Sequence, residues 1–232
     1  ASLDFFWVNK IMKKNILIIG YGDLGKRLTD ILDRNLYNFF HVSRNNKYNS
    51  DDFIEWDWSS KKEFEKNFKQ IDVVIFFPKP SSNDESGYEA GFKNSAQNLN
   101  KIIVKFPIEK FITISSTRVY DKESELPCKE IDPIHPTDYR GRLIKEYEEK
   151  QIDFYSDKLI ILRFSGLYDS HSKKISKNHL HRNNAAEIIK FFIEKDFDFK
   201  SYEIFNCSED NPNGKISNKK IKDLEFNFRE YN

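Results

Sequence analysis

Short apolar runs alternate with amphipathic stretches along most of the chain. The first run, Asn15–Ile19, is rich in β-branched residues and ends at a glycine, which is typical of a strand buried on both faces. Apolar residues then recur at helical spacing from Leu24 to the region of Asn35. A second apolar run follows at Phe39–Val42. This order of strand, glycine-rich turn, helix and strand predicts a βαβ unit.

The same alternation continues into the C-terminal region. It predicts further strands at Phe53–Trp58, Asp72–Phe77, Lys110–Ser115, Leu159–Phe164 and Tyr202–Cys207, and helices at Lys61–Lys69, 86–105, Arg140–Lys150 and Ala185–Glu194. Strands that alternate with helices predict the α/β class, with a doubly wound and mostly parallel sheet.

One domain is expected over residues 1–232, because no repeat, low-complexity tract or long linker divides the chain. Residues 165–232 would contribute a small substrate-side region. The only methionine is Met12, immediately before the first strand, so residues 1–11 are expected to be a disordered or non-native leader.

Composition narrows the classes of partner. The 38 Lys and Arg residues nearly balance the 37 Asp and Glu residues, and this lack of basic excess disfavours nucleic acid. No apolar run approaches the ~20 residues that a membrane-spanning helix needs. The two cysteines, Cys128 and Cys207, lack metal-ligand spacing and are expected to be reduced thiols. We therefore expect a cytoplasmic protein with a small-molecule substrate and neither a nucleic-acid nor a membrane partner.

The glycine-rich turn is the first candidate for chemistry. Gly20 permits a tight turn, Gly22 lets a pyrophosphate approach the backbone, and Gly25 allows close packing of helix and strand. Asp23 and Leu24 begin the helix, whose free N–H groups favour phosphate. The strand before the turn and the helix after it predict a dinucleotide site and a Rossmann fold.

The end of the second strand indicates which dinucleotide binds. NAD-binding proteins place an acid there to hold the ribose 2′-hydroxyl, whereas this chain has Ser43 and Arg44. A guanidinium forms charge-assisted bonds with phosphate oxygens. The sequence therefore predicts NADP as the cofactor, with NAD as the alternative, and disfavours S-adenosylmethionine. The alternative for Arg44 is a solvated surface position.

Other chemistries find little support. His179 and His181, with His171 nearby, lack a further ligand at the usual spacing, so no metal is expected. The chain contains neither a Gly-x-Ser-x-Gly nucleophile elbow nor a phosphate-binding P-loop. Hydrolase and kinase functions are therefore disfavoured.

Four segments, in order, resemble signatures of the extended short-chain dehydrogenase/reductases, the NAD-dependent epimerase/dehydratase family. They correspond to the family's SSTxVYG, LRxxxxYG, RIHxxDxA and YNVxDxxP patterns and are Phe111–Tyr120, Ile161–Tyr168, Asn178–Ala185 and Tyr202–Pro212. In the third segment, Asn183 or Asn184 stands in place of the usual acid. The resemblance extends from Asn15 nearly to the C-terminus.

The resemblance implies roles for individual residues. Ser116 falls on the catalytic Ser/Thr, which hydrogen-bonds the reacting oxygen, and Asp57 falls on a position that commonly contacts adenine. The remaining cofactor positions are of two kinds, a segment lining the cofactor and residues beside the nicotinamide: Phe76, Phe77 and Pro78, then Ser115, Phe164, Ser165 and Gly166.

One departure from the family concerns its Tyr-x-x-x-Lys pair. Aligning Glu148 with the family's usual glutamate places Arg140 at the Tyr position and Ile144 at the Lys position. The chain is thus similar to an atypical subgroup that keeps the serine and lacks the pair. Tyr139 is a candidate substitute, although one residue along a helix turns a side chain by ~100°. The alternative for Tyr139 is a structural or substrate-contact role.

Three arginines, Arg118, Arg140 and Arg142, are candidate substrate-binding residues, or else solvated ones. The leading hypothesis is an NADP-dependent oxidoreductase or epimerase-like enzyme acting on a small carbonyl or hydroxyl compound. The alternative is a non-catalytic NADP(H) sensor or regulator. A nucleotide-sugar enzyme is a more distant third, because few residues follow the sixth strand. A homodimer is also possible, as in related proteins.

Overall fold

Seven parallel strands form one sheet in the computed structural model, which describes residues 12–60, 62, 68–120, 126–198 and 200–231. Along the sheet the order is β3-β2-β1-β4-β5-β6-β9. These strands are β1 Lys14–Ile19, β2 Tyr37–Ser43, β3 Phe53–Glu55, β4 Val73–Phe76, β5 Lys110–Ser116, β6 Leu159–Phe164 and β9 Glu203–Cys207. The order reverses between β1 and β4, and ligands bind beside such switch points in open α/β sheets.

Helices cover both faces of the sheet. They are α1 Asp23–Ile31, α2 Glu85–Tyr88, α3 Ser95–Ile103, α4 Tyr139–Tyr155, α5 Arg182–Glu194 and α6 Lys219–Asp223. A π-helical stretch, Glu89–Asn94, joins α2 to α3, and short 3-10 turns lie at Thr117–Val119 and Ser156–Lys158. Two further strands, β7 Gly166–Tyr168 and β8 His179–His181, pair in parallel outside the main sheet.

The apolar core has two halves, one on each face of the sheet. Ile16 and Ile18 face the half that contains α1 and α5, whereas Leu17 and Ile19 face the half that contains α3 and α4. Successive side chains of a strand point to opposite faces. A strand covered on both faces must therefore be apolar throughout, which explains the unbroken run at β1.

The predicted sheet and its Rossmann topology are confirmed. The strand expected at Phe53–Trp58 ends early, because the Asp57 carboxylate accepts hydrogen bonds from the N–H and hydroxyl of Ser59 and turns the chain. The helix expected at 86–105 is divided by its π-helical stretch, in which the backbone of Gly91 lies against the Lys79 carbonyl.

Other differences concern short elements. Strands β7 and β8 and helix α6 are absent from the prediction, and α4 extends beyond the predicted end to Tyr155. Most of the helix expected at Lys61–Lys69, and the leader at 1–11, lie outside the described residues. Within the described ranges, no helix is both long and apolar enough to cross a membrane.

Candidate functional site

Two clefts lie at the carboxyl ends of the strands. The first cleft, about 480 Å³, is lined by Gly20, Tyr21, Gly22, Asp23, Ser43, Arg44, Asn45, Lys47, Asp57, Trp58, Ser59, Phe77, Lys79, Pro80, Ser81 and Gly91. The second cleft, about 510 Å³, is lined by Ser116, Thr117, Arg118, Tyr120, Ser165, Gly166, Ser176, Lys177, Asn178, Asn213, Lys215 and Ile216. The first cleft lies at the ends of strands β1–β4, and the second cleft lies at the ends of β5 and β6.

The glycine turn forms one wall of the first cleft. Gly20 has a φ of +85°, and a Cβ there would lie 2.5 Å from the Phe77 carbonyl oxygen, so a side chain is excluded by the protein itself. At Gly22 the nearest atom to a Cβ would be 3.8 Å away. The protein therefore leaves room at Gly22, on the cleft side. A Cβ at Gly25 would lie 2.7 Å from the Tyr21 ring, so this glycine allows the turn to pack on α1.

Helix α1 begins at the floor of the first cleft. Its N-cap residue, Gly22, has no side chain with which to bond the first N–H groups of the helix. Such N–H groups and the helix dipole favour an anion. Asp23 lines the cleft beside them, whereas Leu24 turns inward and packs on the apolar core.

The opposite wall carries cations from the end of β2. Arg44 is exposed there, and it makes no hydrogen bond or ion pair with another described residue. The Lys47 ammonium lies 5.4 Å from the centre of the Tyr48 ring. The Ser43 hydroxyl donates to the Asn45 carbonyl at 2.7 Å. This end of the cleft can therefore pair with phosphate oxygens.

The remaining predicted cofactor positions differ in their access to the first cleft. Asp57 and Phe77 line it. Phe76 is wholly buried in the core, and Pro78 is not among the lining residues. Two loop residues that the sequence analysis did not identify, Lys79 and Trp58, lie in the wall instead.

Ser116 lies in the second cleft at the end of β5. Its Oγ accepts a hydrogen bond of 3.2 Å from the backbone N–H of Arg118, which caps the following 3-10 turn. Ser165 and Gly166 line the same cleft, whereas Phe164 is buried in the core. The structure thus places Ser116 beside the residues that follow β6.

Ser115 points in the opposite direction. Its hydroxyl donates to the carboxylate of Glu148, which also accepts two hydrogen bonds from Arg163, at 2.9 and 2.6 Å. Glu148 and Arg163 are only 2% and 1% exposed. The side chain of Ser115 therefore lies in a buried polar network and not in either cleft.

Tyr120 connects this buried network to the second cleft. Its hydroxyl accepts a hydrogen bond of 2.7 Å from Arg163 and donates to Asn206 at 2.9 Å. Burial raises the pKa of Tyr120 to about 12. Burial also lowers the pKa of Arg163, but its bonds to Glu148 outweigh that effect and raise the pKa overall.

The start of α4 holds Arg140, which the family alignment placed at the Tyr position, and the candidate substitute Tyr139. The Tyr139 hydroxyl donates to the Asn83 carbonyl at 2.5 Å, and the Arg140 guanidinium lies 5.6 and 5.5 Å from the centres of the Tyr88 and Tyr139 rings. Ile144 is 2% exposed, within the apolar core. Neither Tyr139 nor Arg140 lines the second cleft.

The other two arginines differ in their surroundings. Arg118 lines the second cleft and pairs with Asp138 at 3.2 Å. Arg142 forms ion pairs with Glu85 and Glu146, and it lines a separate surface hollow. Arg118 is therefore the one of the three predicted arginines that the fold brings to Ser116.

The histidines take part in local bonding. His181 stacks on Tyr231, with ring centroids 4.2 Å apart, and its Nδ1 accepts from the Asn183 N–H at 3.1 Å. His179 has its Nε2 3.6 Å from the Glu209 carboxylate. Among the described residues no three His, Cys, Asp or Glu side chains are grouped as metal ligands.

One protein family and several solved structures are similar to this chain. The model of a family described as the RmlD substrate binding domain matches residues 13–195. A solved UDP-N-acetylglucosamine 4-epimerase from Bacillus cereus is 17% identical with a TM-score of 0.72, covering 95% of this chain and 92% of that one. A dTDP-4-dehydrorhamnose reductase from Clostridium acetobutylicum is 20% identical with a TM-score of 0.65, covering 85% of this chain and 75% of that one.

A third similar structure is MoeE5 in complex with UDP-glucuronic acid and NAD, at 15% identity and a TM-score of 0.68, covering 84% of this chain and 76% of that one. A comparison with curated protein sequences finds no match. The family match and the shared fold confirm the predicted resemblance to extended short-chain dehydrogenase/reductases.

Proposed function

Because this chain belongs to the RmlD substrate binding domain family, we propose that it is an NADP(H)-preferring oxidoreductase or epimerase-like enzyme acting on a small carbonyl or hydroxyl compound. The first cleft carries this proposal. It offers bare backbone at Gly22 and the start of α1 at one end, and the free cation of Arg44 at the other.

The residues present fit a dinucleotide. Gly22 and the first N–H groups of α1 would hold the pyrophosphate, since the space there admits a ligand and the helix dipole attracts an anion. Arg44 and Lys47 would hold a ribose 2′-phosphate. The carboxylates that line this cleft, Asp23 and Asp57, belong to α1 and to the chain after β3, so β2 ends without the acid that an NAD-binding protein uses.

The second cleft supplies the polar groups for a substrate. A nicotinamide dinucleotide, when bound, supplies or accepts a hydride. The hydroxyl of Ser116, held at the end of a buried strand, would donate to the substrate oxygen on which charge develops. Arg118 places a positive charge in the same cleft.

In α4, Arg140 and Ile144 stand at the positions of the family's usual tyrosine and lysine. Tyr120 lines the second cleft, but its hydroxyl is bonded to Asn206 and its pKa is raised to about 12, so it is a poor proton source. Tyr139 is bonded to Asn83, and the apolar Ile144 occupies the lysine position. These features favour a second candidate function, an NADP(H)-binding sensor without catalysis.

A nucleotide sugar is a further candidate for the substrate. UDP and dTDP sugars appear in the names of the similar solved structures. Support in this chain comes from the second cleft, whose wall is rich in hydroxyl and amide groups and includes Lys177. A small carbonyl or hydroxyl compound remains the leading proposal.

The test of the cofactor is a calorimetric titration of the purified chain with NADPH and, separately, with NADH. We expect a lower Kd for NADPH. Equal Kd values would contradict the NADP preference, and binding of neither dinucleotide would contradict the whole proposal.

Catalysis is tested by transfer of deuterium from labelled NADPH to a panel of carbonyl compounds, among them dTDP and UDP keto-sugars. Deuterium found in a product with the unchanged chain, and absent from it with Ser116→Ala, supports the proposal that the protein is an enzyme. If NADPH binds tightly but no compound of the panel receives deuterium, the result favours the NADP(H)-binding sensor.

A further inference from the structure

Four charged residues join α1, α5 and the chain after β7. Their carboxylates and guanidiniums alternate, and we call them the α1–α5 charge cluster: Asp23, Arg27, Asp169 and Arg182. Arg182 lies 3.3 Å from the Asp23 carboxylate and 3.4 Å from that of Asp169. Arg27 lies 3.0 Å from Asp23 and 3.6 Å from Asp169. Two positive and two negative side chains thus meet beside the first cleft.

The cluster reaches the first cleft through Asp23. This residue is the first of α1 and lines the cleft where the glycine turn meets the helix. A carboxylate at that place would repel the negative charge of a pyrophosphate. The guanidiniums that pair with Asp23 reduce this repulsion, and they lie 3.0 and 3.3 Å from a carboxylate that lines the cleft.

The two arginines are held to different extents. Arg27 contacts Asp23 and Asp169, and its Nη1 donates a further bond of 2.5 Å to the Asn183 side chain. Among the described residues, Arg182 pairs only with the two carboxylates, at 3.3 and 3.4 Å, and its side chain is 32% exposed. Arg182 can therefore leave Asp23 with the loss of one ion pair, whereas Arg27 is held by three residues.

We propose that Arg182 is a pyrophosphate-binding residue, which turns from Asp23 onto the dinucleotide while Asp169 retains its position. This inference rests on the proposed dinucleotide binding. Asp23 then competes with the pyrophosphate for the guanidinium. Asp169 itself follows β7, whose Gly166 lines the second cleft.

The competing explanation is a structural ion pair that fastens α1 to α5. The two explanations predict different effects of removing the Asp23 charge on the affinity for a dinucleotide. If the ion pair is structural, removing the Asp23 charge would weaken the contact between α1 and α5. If Arg182 binds the pyrophosphate, the same change would release Arg182 and remove the repulsion between Asp23 and the ligand.

The test compares Arg182→Gln and Asp23→Asn with the unchanged chain in calorimetric titrations. For Arg182→Gln we expect the Kd values of NADPH and NADH to rise by the same factor, roughly tenfold or more, since both lose one charge-assisted bond to the shared pyrophosphate. For Asp23→Asn we expect both Kd values to fall. Adenosine 2′-monophosphate, which lacks the pyrophosphate, should bind all three proteins equally.

Arg229→Gln is the matched control. It removes the same charge from a side chain that pairs with Glu187 of α5 at 3.3 Å and is 67% exposed. We expect its Kd values to equal those of the unchanged chain.

Several outcomes would overturn the proposal. They are unchanged Kd values in Arg182→Gln, a loss confined to NADPH, an equal loss for adenosine 2′-monophosphate, or the same loss in Arg229→Gln. If Arg182→Gln does not fold, Asp23→Asn decides alone, and unchanged or weaker binding refutes the proposal. If the unchanged chain binds neither dinucleotide, the proposed function itself fails and this inference with it.

Discussion

The second cleft rests on a buried ion pair, whereas the first rests on apolar side chains. Beneath the second, Glu148 and Arg163 are bonded to each other and to Ser115 and Tyr120. Beneath the first, the wholly buried Ile18 contributes to an apolar core that also contains residues of α1.

This difference separates two kinds of site. The binding groups of the first cleft are backbone at the glycine turn and exposed cations, so they can be altered without disturbing the core. The groups around the second cleft depend on partners that are buried with them, and a buried polar group without its partner is costly. Substitutions beneath the second cleft should therefore affect the fold, and substitutions of the first cleft's binding groups, Gly22 and Arg44, should affect binding alone.

The largest effect is expected beneath the second cleft. Glu148→Gln removes one charge of the buried pair and leaves the Arg163 guanidinium uncompensated, which should lower the free energy of unfolding by about 3–5 kcal/mol. Urea denaturation measures it. As a control, Arg142→Gln breaks exposed ion pairs with Glu85 and Glu146, so its effect on the free energy of unfolding should be far smaller. Similar losses in the two variants would remove the contrast between the clefts.

A catalytic effect is expected in the wall of the second cleft. Ser116→Ala should raise the activation barrier by about 2.7–4 kcal/mol, because it removes a donor to the oxygen on which charge develops. Tyr139→Phe should be milder, since the Tyr139 hydroxyl is bonded to Asn83 outside the cleft. The turnover of both variants on a substrate found by deuterium transfer shows which substitution is the more damaging. If Tyr139→Phe is the more damaging, the alignment of α4 is wrong by one residue.

In the first cleft, Gly22→Val should impair binding and spare the fold. A Cβ has room in the protein, but the valine would occupy the pyrophosphate site, which we expect to cost about 3 kcal/mol, or a Kd roughly 100-fold higher. Gly20→Ala is the counterpart. Its Cβ would meet the Phe77 carbonyl at a positive φ, so it should lower the melting temperature. An unchanged Kd in Gly22→Val would make the glycine turn purely structural.

A smaller effect distinguishes the two dinucleotides. Arg44→Ala removes a guanidinium that has no described partner, and it should weaken NADPH binding by about 1.5–3 kcal/mol. NADH affinity should remain unchanged, because NADH lacks the 2′-phosphate. Paired titrations measure both values. Equal losses would show that Arg44 acts through the structure of the β2 end.

The smallest effect concerns the one strongly perturbed histidine behind the first cleft. Burial lowers the pKa of His41, which stacks on Tyr21, to about 4. Between pH 6.5 and pH 4 the unfolded chain therefore binds a proton that the folded chain does not, so stability falls as the pH falls. From pH 7 to pH 5 the loss should be about 2 kcal/mol.

The measurement compares urea unfolding of the unchanged chain and His41→Gln at both pH values. The variant should lack this part of the pH dependence, and His135→Gln, at an exposed position, should retain it. An identical pH dependence in His41→Gln would show that His41 titrates normally in the folded protein.

The sequence by itself determined the sheet and the first cleft. The Ile16–Ile19 part of β1 is apolar throughout because it is covered on both faces, and this pattern is visible without any knowledge of its neighbours. The glycine turn is likewise local, since Gly20 is required by a backbone angle and a contact at one turn. Ser43 and Arg44 follow from the position at which β2 ends.

The tertiary structure decided the direction and the partners of the polar side chains. Ser115 and Ser116 are adjacent and identical, and a strand sends them to opposite faces, but only the packing of α4 makes Ser115 the buried one. Lys47 and Lys79 reach the first cleft from loops, and Arg182 pairs with Asp23 of the cleft from a helix distant in sequence. Sequence periodicity reports which residues share a face within one element, whereas these contacts depend on the distances between elements, which the folded chain alone sets.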